Sequence, residues 1–422
     1  NIMKNIIVAS AIMCSVASQA LAEIKIGILH SLSGSLAISE TTLKDTMLML
    51  IEEQSAKGGL LGEELVPVVV DPASDWPLFA EKARELLTVS DVDVMFGCWT
   101  SVSRKSVLPV IEELNGLLFY PVQYEGEESS KNVFYTGAAP NQQAIPATDY
   151  FLDELGVEKF ALLGTDYVYP RTTNKILEQY LKDKGISESD IFVNYTPFGH
   201  SDWSKIVADV VALGADGKKV GVISTINGDA NVGFYKELAA ADVSADDIPV
   251  VAFSVGEEEL SGLDTTNLVG HLAAWNYFQS AESDLNEEFI AAFKAKMGDE
   301  RVTNDPMEAH YIGFNMWVQA VEKAGTTDVD AVREAMYGLT APNLTGGMAE
   351  MLPNHHLSKP VLIGEIQADG QFDIISQTEE VPGDAWTDFL PESAVLMSDW
   401  KDIGCGMYNT ETSTCIQMKS IY

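Results

Sequence analysis

Hydroxyl, amide and aromatic side chains recur directly after four segments that are predicted to be buried β-strands. Together they offer hydrogen-bond donors and acceptors beside flat apolar faces, which suits a small, planar, uncharged ligand. In open α/β sheets, ligands bind outside the carboxyl ends of the strands, where helix N-termini add free N–H donors. The residues that we predict to bind a ligand are Trp99, Thr100, Ser101, Tyr120, Gln123, Tyr167, Tyr169, Ser254 and Glu257.

Each of these residues, taken alone, also has an ordinary structural explanation. An aromatic side chain after a strand often covers a sheet edge, and Ser101 as a simple helix N-cap would contribute about 1 kcal/mol. Glu257, followed by two further glutamates, would complement a helix dipole. The predicted binding site therefore depends on the recurrence of such clusters at one place in the fold.

The common catalytic signatures are missing from the sequence, which has no glycine-rich phosphate loop, no G-x-S-x-G and no H-E-x-x-H. None of the six histidines has a metal-ligand spacing with a carboxylate, and we interpret His355 and His356 as surface residues of a loop. The apolar neighbours of Cys98 predict a buried, inert thiol. We therefore predict no enzyme activity, no metal and no cofactor.

The predicted site residues are positioned by a repeated alternation of strands and helices, which indicates parallel sheets covered on both faces. In the first unit we predict strands at 24–29, 65–70, 92–97 and 117–120, with helices at 39–57, 76–88 and 104–115. In the second unit, after Pro140, we predict helices at 142–155, 172–184, 203–213 and 230–240, with strands at 160–163, 191–195, 220–224 and 249–253.

Beyond His271 the pattern changes to three successive predicted helices, at 283–297, 307–324 and 329–337. A hairpin is predicted at 361–375, around the Asp369-Gly370 turn. Helices without strands between them must pack on a surface that already exists, so the chain leaves one lobe early and completes it later. The expected fold class is α/β, with two doubly wound parallel-sheet lobes.

Length and charge narrow the function further. A chain of 422 residues is longer than one hydrophobic core usually accommodates, which agrees with two lobes. It has 63 acidic and 26 basic residues, for a net charge of −37, and such a surface repels phosphates and anionic lipids. We therefore predict no nucleic-acid partner and no membrane-surface partner, and we expect a monomer.

The first residues and the last cysteines both indicate an exported protein. Lys4, an apolar run at 6–16 and the small residues at 20–22 predict a signal peptide cleaved before Glu23. An oxidising compartment, most simply a bacterial periplasm, favours a disulfide between Cys405 and Cys415 in the tail.

Several long motifs resemble the urea-binding proteins of bacterial urea ABC transporters. The motifs are FGCWTS at 96–101, FYPVQYEG at 119–126, YTGAAPNQQ at 135–143, DYVYPR at 166–171, NGD at 227–229, HLAAWNYFQS at 271–280 and DPME at 305–308. The wider family includes receptors for short amides and for branched-chain amino acids. The resemblance implies a type I periplasmic binding protein, whose two lobes are joined by a three-strand hinge and close on the ligand.

The resemblance also implies lobe boundaries and ligand contacts. After a signal peptide at 1–22, we expect lobe 1 at 23–142 and 273–342, lobe 2 at 143–272 and 343–400, and a tail at 401–422. Positions that match ligand contacts or strand ends of the relatives are Ser101, Tyr120, Tyr167, Tyr169, Ser254 and Glu257. Val122 stands where relatives tend to carry Thr, which disfavours a carboxylate ligand and leaves Gln123 as the polar contact. Gly256 stands where the urea-binding relatives carry Ala, so the sequence does not determine the volume of the pocket.

The predicted function is therefore a periplasmic receptor that captures urea between two closing lobes and delivers it to an ABC transporter permease. A receptor for short aliphatic amides such as acetamide or formamide is the nearest alternative, because Val122 could accept a methyl group. A branched-chain amino-acid receptor is less favoured, since Trp99 and Tyr120 would crowd a larger ligand. The alternative from a different class is a secreted amidase or nitrilase that depends on Cys98.

Overall fold

The protein folds around two β-sheets, seen in a computed structural model that describes residues 22–416. The sheet of lobe 1 has five parallel strands in the order β2-β1-β3-β4-β5. These strands are β1 (Glu23–Leu29), β2 (Glu64–Val70), β3 (Val94–Gly97), β4 (Leu118–Tyr120) and β5 (Val133–Tyr135). The helices between them are α1 (Ala37–Ala56), α2 (Trp76–Thr88) and α3 (Ser101–Glu113).

The sheet of lobe 2 has seven strands, in the order β15-β14-β10-β9-β8-β6-β7. Its parallel strands are β6 (Lys159–Thr165), β7 (Ile191–Thr196), β8 (Val220–Thr225), β9 (Val250–Ala252) and β10 (Leu272–Trp275). The helices on this sheet are α4 (Ala144–Asp149), α5 (Val168–Asp183), α6 (Ser204–Leu213), α7 (Ala230–Ala240) and α8 (Glu257–Leu260).

The remaining helices pack against lobe 1. They are α9 (Asp284–Met297), α10 (Asp305–Ala324) and α11 (Val329–Met336). Trp317 of α10 is fully buried, with its ring 6.4 Å from that of Phe96 in β3. Helix α10, which lies far beyond β3 in the chain, therefore completes the core of the first lobe together with α1, whose Met47, Leu50 and Ile51 belong to the same apolar cluster.

The last part of the chain consists of short antiparallel pairs. A hairpin of β11 (Thr340–Pro342) and β12 (Met348–Glu350) precedes β13 (Ser358–Lys359), and β14 (Leu362–Ile366) pairs with β15 (Phe372–Gln377) around the predicted Asp369-Gly370 turn. Then follow β16 (Val381–Pro382), α12 (Pro391–Ala394), β17 (Leu396–Asp399), β18 (Cys405–Asn409) and β19 (Thr414–Cys415). The predicted disulfide between Cys405 and Cys415 is confirmed.

Two buried amides hold together the three chain crossings that form the hinge. Gln142, in the first crossing, donates through Nε2 to the carbonyl of Leu357, at 2.8 Å. Asn276, in the second crossing, donates through Nδ2 to the carbonyls of Gln142 and Pro360, at 3.1 and 2.9 Å. Because these buried carbonyls need partners where no sheet continues, the amides stabilise the crossing point.

The structure corrects several details of the predicted elements. The helix predicted at 142–155 is divided into a 3₁₀ turn, α4 and a π-helical turn at Tyr150–Glu154, because the backbone of Gln143 leaves the helical region. Strands β5 and β10 were not predicted, since three or four continuously buried residues show no strand period. The predicted elements otherwise agree with the structure in type.

His355 and His356 are not surface residues, and that prediction is wrong. Both are fully buried, because their segment continues the edge of the first sheet next to β5. The backbone N–H of Tyr135 donates to the carbonyl of His355, whose ring nitrogens bond to the Val133 carbonyl and to Tyr337. Burial, opposed only by weaker hydrogen bonding, lowers the pKa of His355 to about 3, so its ring is neutral.

Candidate functional site

The loops that follow the strands of the two lobes meet face to face, and hydrogen bonds join them. Trp99, after β3, donates from its indole Nε1 to Oδ1 of Asn227, after β8, at 3.1 Å. Gln123, after β4, donates from Nε2 to Oγ of Ser254, after β9, at 2.7 Å. All four side chains are buried, so the lobes are in a closed arrangement.

The two backbones also approach closely beside this contact. The N–H of Asp229 in lobe 2 donates to the carbonyl of Ser35 in lobe 1, at 3.0 Å. Gly228 has a φ of +72°, and a Cβ at that position would lie 2.6 Å from the same carbonyl oxygen. A side chain would therefore be strained and would also hold the lobes apart.

Helix α3 begins one turn earlier than predicted, which changes the roles of Thr100 and Ser101. Thr100 is the N-cap, and its hydroxyl accepts a hydrogen bond from the N–H of Ser103, at 3.1 Å. Ser101 is therefore the first residue of the helix and is not its cap. The Thr100 hydroxyl is used within the helix, whereas that of Ser101 is directed to the loop after β4.

A buried ionic network lies behind Ser101. Its hydroxyl donates to Oε2 of Glu125 at 2.5 Å, and Oε1 of Glu125 is 3.3 Å from Nη2 of Arg104. Arg104, which is fully buried, also holds Glu128 through two hydrogen bonds of 2.7 and 3.2 Å. Burial alone would raise the pKa of Glu128, but Arg104 and Lys105 lower it to about 2.

Aromatic rings enclose the guanidinium of this network. Its carbon lies 4.7 Å from the ring centroids of both Tyr120 and Tyr124. The hydroxyl of Tyr120 donates to the backbone carbonyl of Trp99, at 2.5 Å. The predicted site residue Tyr120 therefore contributes a ring face, while its hydroxyl is already paired.

The second lobe contributes two tyrosines at the start of α5. The rings of Tyr167 and Tyr169 are 6.2 Å apart, and Tyr169 is buried. The Tyr169 hydroxyl lies beside Ser254 and Gln123, yet it makes no hydrogen bond of ordinary geometry to the described residues. Oε1 of Gln123 also has no such partner. Two buried polar atoms thus lie where the lobes meet without a well-formed hydrogen bond to the described residues.

Glu257 is buried, but no hydrogen bond joins it to the other predicted site residues in the described part of the chain. Its Oε2 accepts from the backbone N–H of Gln279 at 2.6 Å, and its Oε1 has no protein partner there. Burial raises its pKa to about 8, against weaker lowering by backbone hydrogen bonds. At neutral pH the carboxyl is therefore mostly protonated and can donate as well as accept.

Cys98 is a buried, unreactive thiol, as predicted. It is fully buried, and burial, followed by the charge of Glu40, raises its pKa. In residues 22–416, no three His, Cys, Asp or Glu side chains form a group suited to a metal ion. Over the same range, no helix combines the length and apolar character needed to cross a membrane.

Three residues of the interface were missed by the sequence reasoning: Arg104, Glu125 and Asn227. Glu125 and Asn227 lie inside motifs that were recognised, at 119–126 and 227–229, and Arg104 lies three residues after the motif at 96–101, but no role followed from their types. A spacing of three between Ser101 and Arg104 on a helix was the available signal, because such residues share a face. Asn227 could not be found in this way, since its partner lies 128 residues away.

The chain belongs to the periplasmic binding protein family, because residues 24–392 match the model of the periplasmic binding protein domain. Members of this family are receptors and not enzymes, and the family implies location in the periplasm. The predicted signal peptide lies almost wholly outside the described residues, which begin at residue 22.

The chain is similar to Leu/Ile/Val-binding protein homolog 7 of Brucella melitensis biotype 1, at 25% identity over 340 residues, which cover 76% of this chain and 82% of that protein. A stretch of 134 residues is 32% identical to limonene hydroxylase of Geobacillus stearothermophilus, and it covers 31% of this chain but only 24% of that protein.

Solved structures confirm the type I fold. A solute binding protein of an ABC transporter from Rhodopseudomonas palustris BisB5, in complex with 3,4-dihydroxy benzoic acid, superposes with a TM-score of 0.73 at 16% identity, over 85% of this chain and 98% of that chain. A leucine binding protein from Thermotoga maritima MSB8 gives a TM-score of 0.71 at 16% identity, over 84% of this chain and 99% of that chain.

Proposed function

We propose that the protein is a periplasmic receptor that captures urea between its lobes and delivers it to an ABC transporter permease. The observation that carries this proposal is a pair of buried polar atoms at the closed interface, Oε1 of Gln123 and the hydroxyl of Tyr169, which make no hydrogen bond of ordinary geometry within the described residues. Buried polar groups are normally hydrogen-bonded, so these two atoms suit a small polar ligand.

Urea matches these atoms chemically. It offers four N–H donors and one carbonyl acceptor in a rigid plane, so Gln123 can accept from an N–H while Tyr169 donates to the oxygen. Helix α5 has no side-chain N-cap, which leaves first-turn N–H groups as further donors. The rings of Trp99 and Tyr167 supply flat faces for the ligand plane.

Lobe closure is expected to contribute to the affinity. A ligand of four heavy atoms gains at most about 6 kcal/mol at about 1.5 kcal/mol per atom, and a micromolar dissociation constant needs about 8 kcal/mol. The hydrogen bonds from Trp99 to Asn227 and from Gln123 to Ser254 form between the lobes, so they can stabilise the closed, ligand-bound arrangement.

A receptor for short aliphatic amides is the second candidate. Acetamide replaces one urea NH₂ by a methyl group, and Val122, which is 1% exposed, lies next to Gln123 in the chain. Solved proteins with this fold include a leucine binding protein and a complex with 3,4-dihydroxy benzoic acid, and both ligands are carboxylates. In this chain the buried cation Arg104 is already paired with Glu125 and Glu128.

Isothermal titration with urea, acetamide and leucine tests the proposal. We expect binding of urea, and the variant Gln123→Met should weaken it about tenfold or more, because it removes an acceptor and leaves a donor of the ligand unpaired. The matched control is Gln179→Met at an exposed position, which should leave the affinity unchanged. The variant also removes the hydrogen bond from Gln123 to Ser254 between the lobes, so equal urea affinity in Gln123→Met and the wild type would remove Gln123 both from the site and from lobe closure.

A further inference from the structure

A buried guanidinium at a ligand-binding face is normally a good partner for a carboxylate, because its planar donors match the two oxygens. Arg104 is such a group: it is fully buried and lies over the ring of Tyr120, one of the predicted site residues. Its Nη1 is 3.3 Å from the hydroxyl of Ser101, another predicted site residue. A carboxylate receptor could be built on this residue.

In this protein the donors of Arg104 are directed to two glutamates. The carboxylate of Glu128 accepts hydrogen bonds from Nε and Nη2 of Arg104. It also accepts one from Nζ of Lys105, at 2.9 Å. Glu125 takes Nη2 as well, and it also accepts the hydroxyl hydrogen of Ser101. The two glutamates therefore neutralise the charge of Arg104 and occupy the hydroxyl that a ligand could use.

Glu125 is the glutamate of this pair that lies beside the predicted site residues. It accepts the hydroxyl hydrogen of Ser101 at 2.5 Å and lies two residues after Gln123, whose side chain bonds to Ser254 of the second lobe. Glu128 bonds instead to Arg104, Lys105 and Tyr135. A ligand that contacts the Ser101 hydroxyl would therefore be one hydrogen bond away from the carboxylate of Glu125.

We propose that Glu125 is the specificity-determining residue that excludes carboxylates from the site and restricts the receptor to uncharged amides. An anionic ligand beside Ser101 would meet the oxygens of Glu125 and would find the guanidinium of Arg104 already paired, while urea and amides carry no charge that needs a buried counter-charge. Specificity of this kind comes from a repulsive element and not only from attractive contacts. The proposal rests on the proposed function, since it concerns the same site.

The test compares acetamide with acetate. The two molecules have nearly the same shape, but acetate has a charged carboxylate oxygen where acetamide has its NH₂ group. In the wild type we expect acetamide to bind and acetate to bind at least about a hundredfold more weakly. Glu125→Gln removes one negative charge but keeps an acceptor for Ser101, and Arg104 keeps Glu128. In this variant the ratio of the acetate to the acetamide dissociation constant should fall at least tenfold, as measured by calorimetry.

Two further variants make the result decisive. Glu125→Asp keeps the charge, so its ratio should stay that of the wild type, and a gain of acetate binding there would overturn the proposal. Glu113→Gln removes an exposed charge at the end of α3, the helix that carries Arg104. This variant should also leave the ratio of the two dissociation constants unchanged. A folded Glu125→Gln variant that rejects acetate as strongly as the wild type does would likewise overturn the proposal.

The same titrations separate this proposal from the proposed function. If the wild type binds neither urea nor acetamide, the proposed function fails. The role of Glu125 is then tested with acetate alone. Acetate binding that appears in Glu125→Gln supports this role, and the absence of acetate binding in that variant contradicts it.

Discussion

Side chains at the lobe interface differ in whether their polar atoms are already paired within the protein. The hydroxyls of Ser101 and Tyr120 bond to Glu125 and to a backbone carbonyl, whereas Oε1 of Gln123 and the hydroxyl of Tyr169 make no hydrogen bond of ordinary geometry in residues 22–416. Residue types and strand-end positions were sufficient to predict that these residues gather. Their pairing depends on partners up to 131 residues away, which no local pattern reveals.

Glu257 gives a prediction about pH. Its pKa is about 8 in the folded protein against an ordinary 4.5, so the folded state holds a proton that the unfolded state has released. Stability should therefore fall as the pH rises from about 4.5 to 8. Glu257→Gln removes this effect and should be more stable than the wild type at pH 8 to 9, by a few kcal/mol at most, at about 1.4 kcal/mol per pKa unit.

Thermal unfolding from pH 5 to pH 9 measures this effect. Because the glutamine keeps an oxygen for the N–H of Gln279, the two proteins should converge near pH 5. The exposed Glu287 provides the control, since Glu287→Gln should leave the shape of the pH profile unchanged. A constant difference between Glu257→Gln and the wild type at all pH values would contradict the raised pKa.

At the scale of elements, the alternation of strands and helices was predictable because each long element carries its own hydrophobic period. The start of α3 was not predictable, since Thr100 and Ser101 are both good N-cap residues. Thr100 is the cap because the hydroxyl of Ser101 is used in a hydrogen bond to Glu125. Strand β5 was missed because its pairing with β4, and not its three residues, defines it. Short elements of this kind are set by tertiary contacts.

The contact between the loops after β3 and β8 predicts a role for the indole N–H of Trp99. Trp99→Phe keeps a ring but removes the hydrogen bond to Asn227, so the closed form should lose about 0.5 to 1.5 kcal/mol. Urea affinity should then fall about 2- to 12-fold, as measured by calorimetry. Trp203→Phe is the matched control, since that indole is buried in the core of lobe 2 and its N–H has no hydrogen-bond partner among the described residues. An equal loss of affinity in both variants would point to general destabilisation.

At the scale of the whole molecule, residues 383–400, which were expected to belong to lobe 2, fold back onto lobe 1. The strap, residues 383–400, contacts the loop that carries Gln123 and Glu125. The N–H of Glu127 donates to the carbonyl of Ala385 at 2.8 Å, and the indole of Trp400 donates to Ser129 at 2.8 Å. The strap therefore supports the loop after β4 from its outer side.

The disulfide between Cys405 and Cys415 is expected to hold the end of this strap in place. Replacing both cysteines by serine removes a cross-link worth at most about 3 kcal/mol for so short a loop. Trypsin should then cleave faster at the exposed Lys401, and a reductant should have the same effect on the wild type but none on the double variant. Unchanged cleavage of the wild type in reductant would show that the β-sheet of the tail is stable without the bond.

The central claim, that the closed lobes hold urea, is tested most directly by thermal unfolding of the wild type with urea at low millimolar concentration, beside acetamide and leucine. A ligand that binds only the folded state raises its stability by RT ln(1 + [L]/Kd). We predict a rise of the midpoint with urea, a smaller rise with acetamide, and none with leucine. A rise with leucine and none with urea would contradict the claim and would make the protein a carboxylate receptor on the same fold.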